Sequence, residues 1–399
     1  MKSMCAKESK IEKKAVDISS TEMNRNLFYG NSAEVHSVGY SDYNEFCENE
    51  TRKQSMNGFE DEYRDFVDYI MKITHRIWEE KGIGVIYETY HNDVIMHTGI
   101  DNIQGVNEVV SGTLQTLHAF PDRKLFGQNV IWSGNDQEGF LSSHRIVSNA
   151  TNLGDSSYGR ATGKKAIFRT IVDCFVHSNR IIEEWLVRDN LYIVKQLGFD
   201  PIEVAKRLAK QSAHKSSSLQ SSFGISETRK GQFMPEVFVP KSSEFEIGEF
   251  ILEMYNKVWQ RKLFNYVNEF YTDNAVVHYI CGKDLIGSNQ IQGMLISLFS
   301  SFPNAKFIID RVTYNEGVVK NQWDVAVRWR LQALHEGIGY FGDPSGKPIE
   351  ILGITHLEVN NGRITEEWLT FDGLDVLKQI YMQIDDALCE AESEDHSII

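Results

Sequence analysis

The run IIEEWLVRDNL, residues 181–191, places an aspartate four residues beyond a tryptophan in a segment rich in β-formers. In a strand, side chains alternate between faces, so Glu183, Trp185, Val187 and Asp189 share one face while Ile182, Glu184, Leu186 and Arg188 share the other. If the first face lines a cavity, apolar surroundings disfavour the charged carboxylate of Asp189 and lift its pKa toward the range useful for general acid-base work, such as enolising a carbonyl compound. The competing reading is helix capping, because Asp189 immediately precedes a helical pattern and Asp is a preferred N-cap. The segment FRTIVDCF puts Arg169 and Asp173 on one face, and LSSHRIV offers His144 and Arg145 on a neighbouring strand. Arg and His beside an Asp can hold a substrate carboxylate or stabilise an enolate, against the alternative of a cross-strand structural ion pair. Ser142 and Ser143 adjoin His144, but adjacency along a strand does not supply the geometry of a nucleophile pair.

The same chemistry is written a second time. ETYHNDVIMH at 88–97 returns as EFYTDNAVVH at 269–278, and EEWLVRDNLYIVKQL at 183–197 returns as EEWLTFDGLDVLKQI at 366–380. Trp78 pairs with Trp259, His97 with His278, Pro121 with Pro303, Gly163 with Gly346 and Asp189 with Asp372. So constant an offset over so long a stretch is a duplicated fold, each copy large enough to bury its own core. The second copy sets Glu366, Trp368, Thr370 and Asp372 on one strand face and offers Arg328, Arg330 and His356, but is less polar elsewhere. The expected catalytic groups are therefore Asp189, His144, Arg145 and Asp173, with Asp372 in the second copy, and the first copy is expected to be the catalytic half. His97 and His278 close apolar runs, and with Trp185, Trp368 and Arg169 they are expected to touch substrate.

The elements that must position these residues follow from periodicity. Phe59, Tyr63, Phe66, Val67, Ile70, Ile73, Ile77 and Trp78 form the stripe of an amphipathic helix, and Phe245 through Trp259 repeat it. Short Val-, Ile- and Phe-rich segments follow in each copy, with SNR and NNGR supplying hairpin turns, and each copy closes on a short helix. This predicts an α+β class: two tandem cone-shaped barrels, each a curved antiparallel sheet wrapped around helices, packed as a pseudo-twofold pair. The expected divisions are a polar, loosely held arm over 1–57, domains over 58–200 and 244–384, a Ser- and Lys-rich linker over 201–243 that is helical at its start, and an acidic tail over 385–399.

Composition narrows the partners. A net charge of −15 opposes a nucleic-acid partner, and no apolar run reaches the roughly 18 residues of a membrane span. Five scattered cysteines without a CxxC pair fit a reducing compartment, and the basic N-terminus lacks an apolar signal core, so a cytosolic location is expected. No GxGxxG follows a strand and no GxxxxGK[ST] or HExxH occurs, so neither cofactor nor metal is expected; the partner is a small molecule.

The ordered series of Tyr, acidic residue, apolar pair and His, then Phe-Pro, a paired hairpin, Thr-Gly-Lys, and Glu-x-Trp-x-x-x-Asp-x-Leu resembles the SnoaL-like polyketide cyclase or ester cyclase family of the nuclear transport factor 2-like superfamily. The resemblance spans about 60–199 and 245–381. It implies a cone with a pocket at its wide end and a pocket aspartate acting as acid and base on a carbonyl substrate, matched here by Asp189 and Asp372. It also implies a histidine near His97 and His278 and another before the Gly-rich loop, present as His335 in the second copy and replaced by Asn152 in the first. The function expected is cofactor-independent cyclisation, isomerisation, dehydration or hydrolysis of a small carbonyl-containing or polyketide-like molecule. A non-catalytic binding or scaffold protein built from the same two cones is the alternative.

Overall fold

In the computed structural model, residues 28–31, 54–99, 101–213, 235–242, 244–317 and 319–382 are described. Most of the N-terminal arm, the middle of the linker and the acidic tail lie outside the described residues. In the first copy, helix α1 (Phe66–Trp78) and the short α2 (Gly84–Thr89) lead into β2 (Tyr90–Thr98), β3 (Asp101–Gln104), α3 (Val106–Ala119) and the long strands β4 (Lys124–Asn135), β5 (Gly139–Thr151), β6 (Lys165–His177) and β7 (Arg180–Arg188). Helices α4 (Asn190–Leu197) and α5 (Pro201–Ala213) follow. The second copy repeats the plan with α6 (Ile247–Met254), a π-turn over Tyr255–Gln260, α7 (Val267–Phe270), β8 (Tyr271–Tyr279), β9 (Lys283–Ile286), α8 (Gly287–Ser301), β10 (Lys306–Glu316), β11 (Gln322–Leu334), β12 (Pro348–Asn360), β13 (Arg363–Phe371) and α9 (Gly373–Tyr381).

With β1 at Phe28–Asn31, the strand orders are β3-β2-β7-β6-β5-β4 and β1-β10-β11-β12-β13-β8-β9. Both sheets are antiparallel except where β2 meets β7, β8 meets β13 and β1 meets β10, each pair parallel. A four-residue piece of the arm, β1 (Phe28–Asn31), adds a parallel strand to the outer edge of β10. The tight hairpins fall where their sequences demand: Ser178 and Asn179, then Asn361 and Gly362, all take positive φ, the geometry that matches the right-handed twist of the flanking strands. Helix α1 starts later than its apolar stripe. Asp65 accepts from the Asp68 amide at 2.7 Å as N-cap, and residues 56–63 are held in turns instead, although Phe59 still packs edge-on against Tyr69.

The outer faces of the two sheets press against each other with reciprocal contacts. The Arg145 guanidinium lies over the Trp368 ring at 3.2 Å and its counterpart Arg328 lies over Trp185 at 3.4 Å, the signature of a twofold relation between equivalent residues. Leu141, Ile171, Phe175, Trp185 and Val187 of the first sheet merge with the core of the second domain. Asn315 on β10 brackets the Trp132 backbone on β4, donating to its carbonyl at 2.8 Å and accepting from its amide at 3.0 Å. Helix α5 binds the halves on another side, its Val204 and Ala205 sharing a cluster with Leu191 of the first domain and Leu374 of the second.

Candidate functional site

The first cone contains a cavity of about 200 Å³. Its apolar wall comes from α1 and α3 and includes Ile70, Ile73, Ile77 and Val109. Its polar groups come from the concave face of the sheet: Ser142 and His144 on β5, Thr170 on β6, Glu184 and Arg188 on β7, with Tyr90 at the start of β2 and Arg123 just before β4. Pairing register orders them in tiers. Ser142, Cys174 and Glu184 form one level, His144, Val172 and Leu186 the next, and Ile146, Thr170 and Arg188 the third. Two residues of strand separate successive tiers, roughly 6–7 Å.

Glu184 is the deep acid. Burial pushes its carboxyl up to about 7, opposed by the hydrogen bond from Tyr90 Oη to Oε2 at 2.8 Å. His144, one tier up, is buried, and loss of hydration pushes it down to about 3, so the imidazole is neutral. Its Nε2 has no hydrogen-bond partner, nor does Thr170 Oγ1. Gly127 makes the space for it, since a Cβ there would lie 3.1 Å from His144 Nε2 and 2.8 Å from Met71 Cε. At the upper end Arg123, only 6% exposed, donates to Ser148 Oγ and lies over Trp78 at 4.5 Å.

The second cone is filled. Trp329 stands where the first cone has Ile146, Phe307 where it has Leu125, Tyr255 where it has Thr74 and Phe371 where it has Arg188. These rings interlock, with centroids 5.2 Å apart for Phe307 and Trp329, 5.5 Å for Tyr255 and Phe307, and 6.2 Å for Trp329 and Phe371. Gly353, the counterpart of Thr170, admits the Trp329 ring; a Cβ there would lie 2.0 Å from it. Val325 and Val327 replace Ser142 and His144. The second domain keeps the Tyr–Glu pair, Tyr271 Oη donating to Glu367 at 2.7 Å with that carboxyl likewise pushed up to about 7 by burial, but Glu367 Oε1 is sealed without a partner.

Of the residues expected from sequence to be catalytic, only His144 lines this cavity. Asp189, Trp185, Arg169, Asp173 and Arg145 occupy the opposite face of the sheet, turned to the other domain. Alternation separates the two faces except at Ile182, which a bulge turns toward the second domain; it does not say which face points inward. Both faces are buried, because the outer one packs against the second copy, so apolar company did not identify the cavity side.

Asp189 is the N-cap of α4, accepting from Tyr192 N at 3.1 Å and from Cys281 N across the interface at 2.6 Å, and burial raises it to about 6. Asp372 caps α9 through Leu374 N at 2.9 Å and also accepts from Asn190 Nδ2 of the first domain. Asp173 pairs with Arg328 at 3.3 Å, and Arg169 donates to the His278 carbonyl at 2.8 Å. His97 and His278 stack on Trp185 and Trp368 at 5.2 Å, each binding a glutamate, Glu183 or Glu366, at 2.7 Å. His335 is buried and braces its loop through Ser345 Oγ at 3.1 Å. Asn152 does the same in the first domain by accepting from Thr162 N at 2.9 Å.

Glu184, Tyr90 and Arg123 escaped the sequence reading. For Arg123 the available signal was the difference between the copies, where its counterpart is Ala305; Glu184 and Tyr90 recur as Glu367 and Tyr271, so that difference does not mark them. Among the described residues no three His, Cys, Asp or Glu side chains gather as a metal site, and no helix is long and apolar enough to cross a membrane.

Residues 249–380 match the family model for SnoaL-like polyketide cyclase. Three solved structures are similar over about one domain's length. A protein described as a SnoaL-like polyketide cyclase from Jannaschia sp. CCS1 is 19% identical, covering 36% of this chain and 100% of its own, with a TM-score of 0.31. Others described as polyketide cyclases come from Acidithiobacillus ferrooxidans (20% identical, 35% and 96% covered, TM-score 0.28) and Bacillus cereus (18% identical, 38% and 99% covered, TM-score 0.28). A search of curated proteins returns no match. The chain folds as a tandem pair of α+β cones, and residues 249–380, in the second of them, match the SnoaL-like polyketide cyclase family model.

Proposed function

We infer that the first cone is a cofactor-independent catalytic chamber in which Glu184 moves a proton on a small carbonyl compound and His144 supports it, while the second cone is a packed structural partner. The observation that carries this reading is the asymmetry of the duplicate: the open cone holds an elevated-pKa carboxyl and unpartnered polar groups, and the other is plugged by four aromatic rings. As carboxylate, Glu184 takes a proton from the carbon next to the carbonyl, and the electron pair moves onto the oxygen as an enolate. The neutral His144 donates a hydrogen bond toward that oxygen without surrendering its proton, and the protonated Glu184 returns the proton to the new carbon position or to the oxygen. An acid near 7 suits both directions at neutral pH. Enolate formation of this kind is compatible with cyclase, isomerase and lyase outcomes, and the SnoaL-like match of the second cone supports that chemical class.

The test is solvent-deuterium exchange into a panel of β-keto esters and cyclic diketones, followed by NMR. Wild type is expected to accelerate exchange of at least one panel member. His144→Val, which installs the residue that the second copy already tolerates as Val327, is expected to cut that rate by about 10²-fold with folding intact. Exchange unaffected by His144→Val would remove His144 from the reaction.

A further inference from the structure

Two arginines line one end of the same cavity, and neither forms an ion pair among the described residues. Arg123 is buried with only Ser148 Oγ and the rings of Trp78 and Phe168 for company. Burial and then repulsion from Arg188 press its guanidinium down to about 9, with no carboxylate close enough to oppose them. Arg188 spends its Nε on Asn190 Oδ1 at 2.8 Å, an oxygen also bonded by Tyr158 Oη at 2.6 Å. A buried cation without a counter-ion, as Arg123 is, is costly, and the half-buried Arg188 facing the same void adds repulsion to it, although Arg188 itself feels the charge of Asp372.

The fold does not demand them. In the second cone the counterpart of Arg123 is Ala305, that of Ser148 is Leu331 and that of Arg188 is Phe371, all buried, while the tryptophan beneath Arg123 is retained as Trp259. The same architecture is thus completed with apolar residues when no ligand must be met. The arginines belong to the open cone alone.

We propose that Arg123 and Arg188 form an anion-recognition subsite, so that the cavity takes small molecules carrying a carboxylate at one end and an apolar body with a carbonyl at the other. Arg188 lies one tier above His144 and two above Glu184, which sets the anion roughly 7 Å from the imidazole level and roughly 13 Å from the acid level along the strands. Ile70, Ile73, Ile77 and Val109 flank the span between. Guanidinium forks match carboxylates in a paired geometry that an uncharged amide cannot reproduce. The substrate class rests on the catalytic reading of this cone; the binding subsite does not.

The test is isothermal titration calorimetry of the full chain with 4-phenylbutanoate and its neutral isostere 4-phenylbutanamide. Wild type is expected to bind the acid at least tenfold more tightly than the amide, and Arg123→Met and Arg188→Met are each expected to abolish that preference. Because the half-buried Arg188 is the easier site to change, its variant decides the matter if Arg123→Met does not fold. Glu184→Gln is expected to keep the preference while losing exchange activity, which separates anion binding from proton transfer. Equal binding of acid and amide, binding of neither, or a preference that survives Arg188→Met would overturn the subsite, and it would do so without touching the role of Glu184.

Discussion

Glu184→Gln is expected to lower deuterium exchange by 10²–10⁴-fold, the range typical of a lost general base, while Glu367→Gln in the filled cone leaves it unchanged. Gln keeps the acceptor for Tyr90, so the loss isolates the proton-transfer role from the hydrogen bond that positions it. The pH dependence has a definite sign. A base with a pKa of about 7 is active when deprotonated, so wild-type exchange rises as pH passes upward through about 7, and that limb vanishes in Glu184→Gln. Stability runs the other way. The folded state holds a proton on Glu184 and on Glu367 that the unfolded chain releases near 4.5, so stability falls as pH rises from about 4.5 to about 7 and stays lowered above it. Each group costs about 3 kcal/mol at most. Urea melts at pH 5 and pH 8 should show this loss in wild type and a smaller one in Glu184→Gln. A pH-independent difference between the two proteins would deny the raised pKa.

Asp173→Ala is expected to be the most damaging change at the junction of the domains. It strands the Arg328 guanidinium, 95% buried, with the Trp185 ring as its main remaining partner. Removing one member of a buried ion pair costs about 3–5 kcal/mol, which corresponds to a fall in Tm of roughly 10 °C. Asp173→Ala with Arg328→Met removes both charges and should recover most of that loss. Differential scanning calorimetry of the single and double variants checks the coupling. If Asp173 served catalysis instead, exchange would fall with stability unchanged and the double variant would rescue nothing.

Much of the architecture was legible because duplication wrote it twice. Positive-φ turn residues at Ser178–Asn179 and Asn361–Gly362, the capping aspartates Asp189 and Asp372 and the alternation of β7 all stand where the chain's own chemistry puts them. The alternation of Glu183, Trp185, Val187 and Asp189 against Glu184, Leu186 and Arg188 holds, but a bulge breaks it at Ile182, which packs toward the second domain while Ile181 lines the cavity. What one strand cannot state is which of its faces turns inward when a second domain buries the other. Trp185 marks a covered surface, but what covers it is Arg328 of the neighbouring domain. The inward set became recognisable only when tiers from three strands were aligned, placing Ser142, Cys174 and Glu184 on one level and His144, Val172 and Leu186 on the next. Comparing those tiers between copies then separated what the fold needs from what only one cone carries. The Tyr–Glu pair occurs in both, whereas His144, Arg123 and Arg188 occur in the open one.

That comparison supplies a direct way to close the open cone with the protein's own solution. The double variant Ile146→Trp, Thr170→Gly copies the Trp329–Gly353 plug into the first domain, leaving Glu184, His144 and both arginines in place. The decisive measurement is deuterium exchange by this variant beside wild type, with circular dichroism to show that it folds. A folded, plugged protein with exchange at the uncatalysed rate is the predicted result; exchange at the wild-type rate would place the chemistry outside this cavity.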